Sequence, residues 1–318
     1  MTSGPETQAE FLSKPHGFTT RVLDSDIFHS FKQSKLTMVA ALVTLAFIFG
    51  AALAPWIAPH NPFDLASIDL MDSLLPPAWE QGGDSRFLLG TDDQGRDILS
   101  GILYGARASL AVGFASVLFA ATLGITLGLA AGYLGGTFGT VVMRIADIQL
   151  TFPSILIALL IDGVVQGLFK GVSRADTADG VLIVSIGLSF WVQYARTVRA
   201  STLVERNKEY VQAARLIGIP PGLIMLRHVL PNVMGPVLVI ATINLAVAII
   251  LEATLSFLGV GLPATQPSLG TLIDIGQDFL FSGEWWITIF PGFALAALVL
   301  AVNLLGDWLR DALNPKLR

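Results

Sequence analysis

An unbroken stretch without a charged side chain runs from Ala108 to Met143, and it restricts the possible folds more than any other feature of this sequence. About 20 apolar residues in a helix cross a bilayer core, so this stretch is too long for a single upright helix. The glycine-rich segment Gly132–Gly136 is the natural break, because glycine favours turns. We therefore predict two membrane spans here, Ala106–Ala131 and Thr140–Ile161, with Pro153 kinking the latter.

Other apolar runs of similar length predict further membrane spans. They are Leu36–Ile57, Val181–Val198, Val233–Leu258 and Trp285–Gly306. The whole chain is 53% hydrophobic and only 14% charged, whereas about 25% of the residues in a soluble domain are charged. The run from Leu36 is too long and begins too late for a cleaved signal peptide. The sequence thus predicts an all-α polytopic membrane protein with six transmembrane helices.

Basic residues predict the orientation of these helices. Most of the 19 Lys and Arg residues fall on one side of the membrane if segment 200–232 is cytoplasmic, and such an excess marks the cytoplasmic side. Both termini are then expected in the cytoplasm. The predicted layout is a tail over 1–35, a first transmembrane helix over 36–58, an extracytoplasmic loop over 59–105, a core over 106–309 and a second tail over 310–318.

The predicted extracytoplasmic loop is acidic and contains an amphipathic segment. Asp92-Asp93-Gln94-Gly95 lacks the alternating ligands and the distal Glu of an EF-hand loop, so we predict no metal site there. Thr91 to Asp97 instead supplies caps for a helix. That helix is expected to lie along the membrane before the chain turns in, and its apolar face consists of Ile98, Leu99, Ile102 and Leu103.

The polar segment Arg196–Pro231 separates the fourth and fifth predicted spans and is rich in Arg and Lys. Glu209–Ile217 is predicted to form a short helix that Gly218 stops. A second helix, Leu223–Leu230, is expected to end against Pro231. On composition alone, an ordinary cytoplasmic loop is the alternative. Several apolar side chains of this segment would be costly to leave in water, namely Leu216, Ile217, Ile219 and Leu223.

The spacing of Gln212-Ala213-Ala214, Gly218 and Leu230-Pro231 resembles the EAA loop of ABC-importer permeases. Gln212 stands where the general pattern has Glu, and His228 stands where Ile is usual. The segment Arg227–Asn232 resembles the peptide and nickel branch of that family, as does Leu89–Leu110. The resemblance implies a MetI-like permease fold with its core over 106–309, and a coupling loop over 200–232 that sits on an ATPase. The implied loop residues are Glu209, Gln212, Ala213, Ala214, Gly218, Arg227, His228, Leu230 and Pro231.

The same resemblance implies the function and the partners. The chain would be the permease subunit of a dipeptide or oligopeptide importer in a bacterial inner membrane, and would form half of the pathway. The other half of the pathway would come from a second homologous permease. Two cytoplasmic ATPase subunits or domains that bind ATP and magnesium and an extracytoplasmic binding protein would complete the importer. No cofactor in this chain and no nucleic-acid partner are expected. An importer of nickel or another small solute remains the alternative, because selectivity in this family lies largely in the binding protein.

Enzymatic chemistry has no visible basis in the sequence. The motifs GxxxxGK[ST], HExxH and GxSxG are absent, there is no cysteine, and the 4 His residues are scattered. No metal site is therefore predicted. An ion-driven secondary transporter would show matched broken helices in two halves and more acids within its spans.

Three charged groups and one glycine face lie within or beside the predicted spans. A charge at mid-membrane costs about 3 kcal/mol, so each needs a partner or a role. Arg144 and Asp147 are three residues apart and are expected to pair. Glu252 is expected either to line the translocation route or to hold a polar helix contact. A smooth face for close packing against another helix, within this subunit or in a partner, is predicted at Ala120, Gly124, Gly128 and Gly132.

Overall fold

The computed structural model describes residues 31–32, 34–62, 64, 68–168, 174–263 and 265–312, with 174–176 described without their side chains. The predicted tail over 1–35 lies outside the described residues except at its end. The predicted tail over 310–318 lies outside them except at its start.

Helices make up nearly all of the regular structure in these ranges. In chain order they are α1 (Lys35–Ala52), α2 (Ala54–Ile57), α3 (Ile98–Leu134), α4 (Gly136–Gln149), α5 (Ser154–Leu168), α6 (Arg174–Glu205), α7 (Glu209–Leu216), α8 (Pro221–Ile224), α9 (Leu230–Phe257), α10 (Leu269–Gln277) and α11 (Trp286–Ala312). A π-helical turn at Met225–Val229 joins α8 to α9. The described part of the chain contains no strand, and an antiparallel bridge joins Thr91 to Asp97.

Among the described residues, five helices are long and apolar enough to cross a membrane. The predicted span Thr140–Ile161 is not one of them. That segment is divided between α4 and α5, whose axes differ by 98°. Pro153 stands directly before α5. Proline has no N–H and disfavours helix at the residue before it, so the chain breaks here rather than kinks. The predicted all-α fold with six spans is confirmed when this bent pair counts as one span.

Helix α3 is continuous where a turn was expected. The prediction that its first part lies along the membrane before the chain turns in is wrong, because Ile98 to Leu134 form one helix. Asp97 caps the helix, as its carboxylate accepts a hydrogen bond from the Ser100 N–H (2.9 Å). Gly105 does not break the helix. Its missing side chain admits a neighbouring backbone, since a Cβ there would lie only 3.1 Å from the Leu269 nitrogen.

Helices α3 and α6 form the most extensive helix contact in the described chain. Gly124, Gly128 and Gly132 of α3 all face α6 in this contact. A Cβ at Gly124 or Gly128 would lie 2.5 Å from the backbone oxygen of Trp191 or Ala195, respectively, which no real side chain tolerates. The glycine face thus lets two long helices touch through their backbones, within this chain.

The connections at one end of the bundle are packed against it. The buried carboxylate of Asp92 accepts hydrogen bonds from the backbone N–H and the Nε of Arg96 (2.9 and 2.6 Å). Trp286 at the start of α11 donates its indole N–H to the Thr91 carbonyl (3.1 Å). Helix α10 packs against both α9 and α11. This end of the bundle is therefore an ordered surface.

Candidate functional site

Residues 208–232 project as a compact unit between α6 and α9, and we call this unit the knob. At the C-terminus of α7, the Gly218 N–H donates to the Arg215 carbonyl (3.0 Å) and the Ile219 N–H donates to the Ala214 carbonyl (3.1 Å). These two bonds form a Schellman motif. Gly218 has a φ of +80°, a conformation that residues with side chains rarely adopt. The end of α7 therefore depends on glycine at this position.

The hydroxyl of Tyr210 joins three parts of the knob. It donates to Glu205 at the end of α6 (2.5 Å) and accepts from the Nδ2 of Asn232 at the start of α9 (3.1 Å). Asn232 also donates to the His228 carbonyl (2.7 Å), and Lys208 pairs with Glu205 (2.6 Å). Partial burial and the hydrogen bond to Glu205 raise the pKa of Tyr210 to about 12. The hydroxyl therefore stays protonated near neutral pH and holds the knob as a unit.

The knob also touches the end of α3. The guanidinium of Arg215 lies 4.8 Å from the ring centre of Tyr133, and its Nε donates to the Tyr133 hydroxyl (3.1 Å). Just before the knob, Arg206 donates to the Gly132 carbonyl (2.8 Å), which satisfies a helix-terminal acceptor. The knob is thus braced against a helix that is distant from it in sequence.

The predicted loop residues occupy both faces of the knob. Within α7, Ala214 is buried, whereas Gln212 and Ala213 are exposed. Glu209 is exposed in the first turn of α7, where a carboxylate complements the helix dipole. Exposed Arg227 and half-buried His228 lie in the π-helical turn, directly before Leu230 and Pro231.

An apolar face covers the tip of the knob. The side chains of Leu216 and Ile217 are 88% and 76% exposed, and Leu226 is 61% exposed. Leu223 is also exposed. The prediction that Ile219 is exposed is wrong, because it is half-buried against the core. Several large apolar side chains exposed close together in sequence are typical of a docking site.

The prediction that a helix ends at Pro231 is wrong. Pro221 to Phe257 form one continuous helix through the π-helical turn. In that turn, the Leu230 N–H donates to the Met225 carbonyl, one residue farther back than in an α-helix. The wider register accommodates Pro231, which has no N–H and would clash with a carbonyl in regular α-helical register. The second half of the knob and the predicted span Val233–Leu258 therefore belong to one continuous helix.

Glu252 lies at a buried polar junction between helices. Its side chain is 0% exposed and accepts hydrogen bonds from the hydroxyls of Ser109 on α3 and Ser256 on α9, both at 2.7 Å. Ser109 also accepts from the Leu269 N–H (3.3 Å), and Ser256 accepts from the Leu262 N–H (3.2 Å). The junction thus joins α3, α9 and the connection that leads into α10.

Asp147 has a different partner from the predicted one. It forms an ion pair with Arg196 of α6 (2.5 Å), and no ion pair joins it to Arg144 among the described residues. The pairing within one helix was predicted from spacing alone. An ion pair between α4 and α6 is possible because these two helices come into contact.

Several contacts were invisible in the sequence because they join distant segments. Tyr133 lies at the end of an apolar run, and nothing local marks it as a partner of Arg215. Ser109 likewise looks like an ordinary small residue in a span. The described residues contain no group of three or more His, Cys, Asp or Glu that could hold a metal ion.

The fold and the knob define a class of protein: a multi-pass helical membrane protein that presents a rigid, exposed unit between two of its spans. Residues 124–318 match the family described as the binding-protein-dependent transport system inner membrane component. Residues 25–77 match the N-terminal TM domain of oligopeptide transport permease C. The chain belongs to the family of inner membrane components of binding-protein-dependent transport systems. It is a multi-pass permease of an ABC transporter and not an enzyme.

Curated relatives match nearly the full length of the chain. It is 40% identical over 313 residues to the dipeptide transport system permease protein DppC of Escherichia coli (strain K12), covering 98% of each chain. It is also 40% identical over 294 residues to the di/tripeptide transport system permease protein DppC of Pseudomonas aeruginosa (strain UCBPP-PA14), covering 92% of each. Such permeases work in a complex with ATPase and binding-protein partners.

A solved structure supports the fold independently. A chain of the MetNI methionine ABC transporter, in an inward-facing conformation, superposes with a TM-score of 0.51 at 22% identity. The match covers 67% of this chain and 96% of that chain. The predicted MetI-like fold is thereby confirmed.

Proposed function

We propose that this chain forms half of the translocation pathway of an importer for dipeptides and short oligopeptides. The observation that carries the proposal is the 40% identity to a dipeptide permease over 98% of both chains. A second, homologous permease would enclose the other half of the pathway. An extracytoplasmic binding protein would deliver the peptide, and two cytoplasmic ATPase subunits or domains would bind ATP and magnesium. An importer of nickel or another small solute is less favoured, since the relatives are named for peptides.

The knob is proposed to be the contact with the ATPase. Exposed Leu216 and Ile217 would insert into a cleft on the ATPase surface and bury apolar area there. Because Tyr210 ties the knob to α6 and to α9, a displacement of the knob would move both spans as rigid bodies. The pathway would then alternate between outward and inward access.

The proposal requires the knob and both termini to lie in the cytoplasm. The excess of Lys and Arg on that side supports this orientation. Glu252 is proposed to hold a polar contact between helices, which its complete burial and its two serine partners support.

Reconstitution of the chain with its neighbouring permease, ATPases and binding protein in liposomes tests this function. We expect ATP-dependent uptake of a labelled dipeptide and no uptake of nickel. Uptake of nickel alone would favour the alternative. Uptake by the isolated chain under an ion gradient, without nucleotide, would contradict the assignment to this transporter class.

A further inference from the structure

A cavity of about 240 Å³ opens among α3, the first turns of α6 and the connection that leads into α10. Ala108, Ala111 and Ala115 of α3 lie on one side of that helix and leave room for it. Most of the lining is apolar. The polar exceptions are Asp179 of α6 and Gln266 of the connection.

Asp179 is the acidic residue of this cavity lining. Asp179 forms no ion pair or hydrogen bond with another described residue, and it is exposed at the cavity, where a ligand could reach it. A positive charge bound beside Asp179 would give this carboxylate an opposite charge as its partner.

Among cationic ligands, the chemistry of the lining favours an ammonium group attached to a small apolar body. A single carboxylate and a single amide are too few ligands for a divalent ion, which prefers a full set of oxygens. An ammonium group needs only a few acceptors, and the Asp179 carboxylate and the Gln266 carbonyl oxygen supply them. The alanine-lined wall and Leu262 suit an aliphatic side chain beside it.

We propose that this cavity binds the amino-terminal residue of a peptide in transit, with Asp179 and Gln266 holding its α-ammonium group. The inference rests on the proposed peptide transport and adds a contact within the permease itself. The site would favour substrates with a free amino terminus after their release from the binding protein. It would sit beside the Glu252 junction, where α3, α9 and the connection into α10 meet.

Thiol labelling tests the cavity without relying on transport. The chain has no cysteine, so Ala111→Cys places a unique thiol of this chain in the cavity wall. In the full complex, we expect a cationic methanethiosulfonate to label it faster than an anionic one, and a dipeptide to slow labelling where its N-acetyl derivative does not. Asp179→Asn should remove both effects, whereas Asp278→Asn, which changes an exposed acid outside the cavity, should leave them intact. If Ala111→Cys and the double variant Ala111→Cys, Asp179→Asn are labelled at equal rates, the proposal is overturned.

Uptake by reconstituted liposomes separates this inference from the proposed function. At low dipeptide concentration, we expect Asp179→Asn to lower uptake about tenfold, because a hydrogen bond to a charged group is lost. Asp179→Glu should restore part of it, and ATPase stimulation by the binding protein should persist in both variants. Wild-type complex that imports no dipeptide would contradict the proposed function. Wild-type and Asp179→Asn complexes that import it equally would overturn the cavity assignment alone. If Asp179→Asn does not assemble, Gln266→Leu in the Ala111→Cys chain provides the second test. We expect that a dipeptide no longer slows thiol labelling in this variant. Labelling that the dipeptide still slows to the same degree would overturn the proposal.

Discussion

Arg215 of the knob stacks on Tyr133 at the end of α3, with 4.8 Å between the guanidinium carbon and the ring centre. The same guanidinium donates to the Tyr133 hydroxyl (3.1 Å). Helix α3 also carries Ser109, which donates to Glu252, and the alanines of the cavity wall. A movement of the knob would therefore be passed not only to α6 and α9, to which it is joined covalently, but also to α3.

Replacement of Tyr133 tests this additional connection. Tyr133→Leu removes both the stacking and the hydrogen bond, and a cation–π contact at such a site contributes about 0.5–1 kcal/mol. We expect uptake per ATP hydrolysed to fall about two- to fivefold in reconstituted complex. Tyr133→Phe keeps the stacking and should retain most of the coupling. Full coupling in Tyr133→Leu would mean that α3 follows the knob through other contacts.

Replacement of Gly218 tests the end of α7. A β-branched side chain at a φ of +80° costs about 1–2 kcal/mol and would unwind the last turn of the helix. We expect Gly218→Val to reduce uptake while ATP hydrolysis continues, because the tip of the knob no longer holds its shape. Gly218→Asn is the matched control, since asparagine tolerates the left-handed region. Equal losses in both variants would point to a direct contact of the glycine and not to its backbone conformation.

The parts of this fold that could be predicted are those specified locally. Apolar runs predicted the spans because a bilayer demands about 20 apolar residues in sequence. Gly218 was predicted as a helix stop because glycine readily adopts the left-handed conformation that often ends a helix. The partner of Asp147 could not be predicted, since Arg196 comes from another helix and only packing brings them together. The continuation of the helix through Pro231 was missed for a related reason, because a π-helical turn leaves no clear mark in the sequence.

Leu216 and Ile217 test the docking face. Leu216→Asp or Ile217→Asp places a charge where an apolar side chain would be buried by the ATPase, and burial of an unpaired charge is strongly unfavourable. We expect the ATPase to be lost from the purified complex while the two permeases stay together. Met71→Asp, at an equally exposed apolar residue in segment 68–97, should leave ATPase association unchanged. Retention of the ATPase by both knob variants would remove this face from the interface.

Gly128 tests the backbone contact between α3 and α6. A side chain at Gly128 would collide with the carbonyl oxygen of Ala195, and overpacking of this kind costs about 1–3 kcal/mol. We expect Gly128→Leu to lower the thermal stability of the purified complex in detergent. Gly163→Ala is the control, because a Cβ at Gly163 meets no atom within 4 Å. Equal stability of the two variants would mean that α3 and α6 can separate without cost.

Replacement of Glu252 tests the buried junction, and two different replacements distinguish the possible roles of this residue. Glu252→Leu leaves the hydroxyls of Ser109 and Ser256 without their acceptor, and each unsatisfied buried polar group costs about 1–3 kcal/mol. Glu252→Gln keeps one acceptor oxygen and the size of the side chain, so it should preserve assembly. If Glu252 holds the helices together, Glu252→Leu loses stability while Glu252→Gln transports close to normally. If its charge lines the route instead, Glu252→Gln loses transport at unchanged stability. Thermal inactivation and uptake measured on the same preparations separate these outcomes. Normal stability and normal uptake in both variants would exclude both roles.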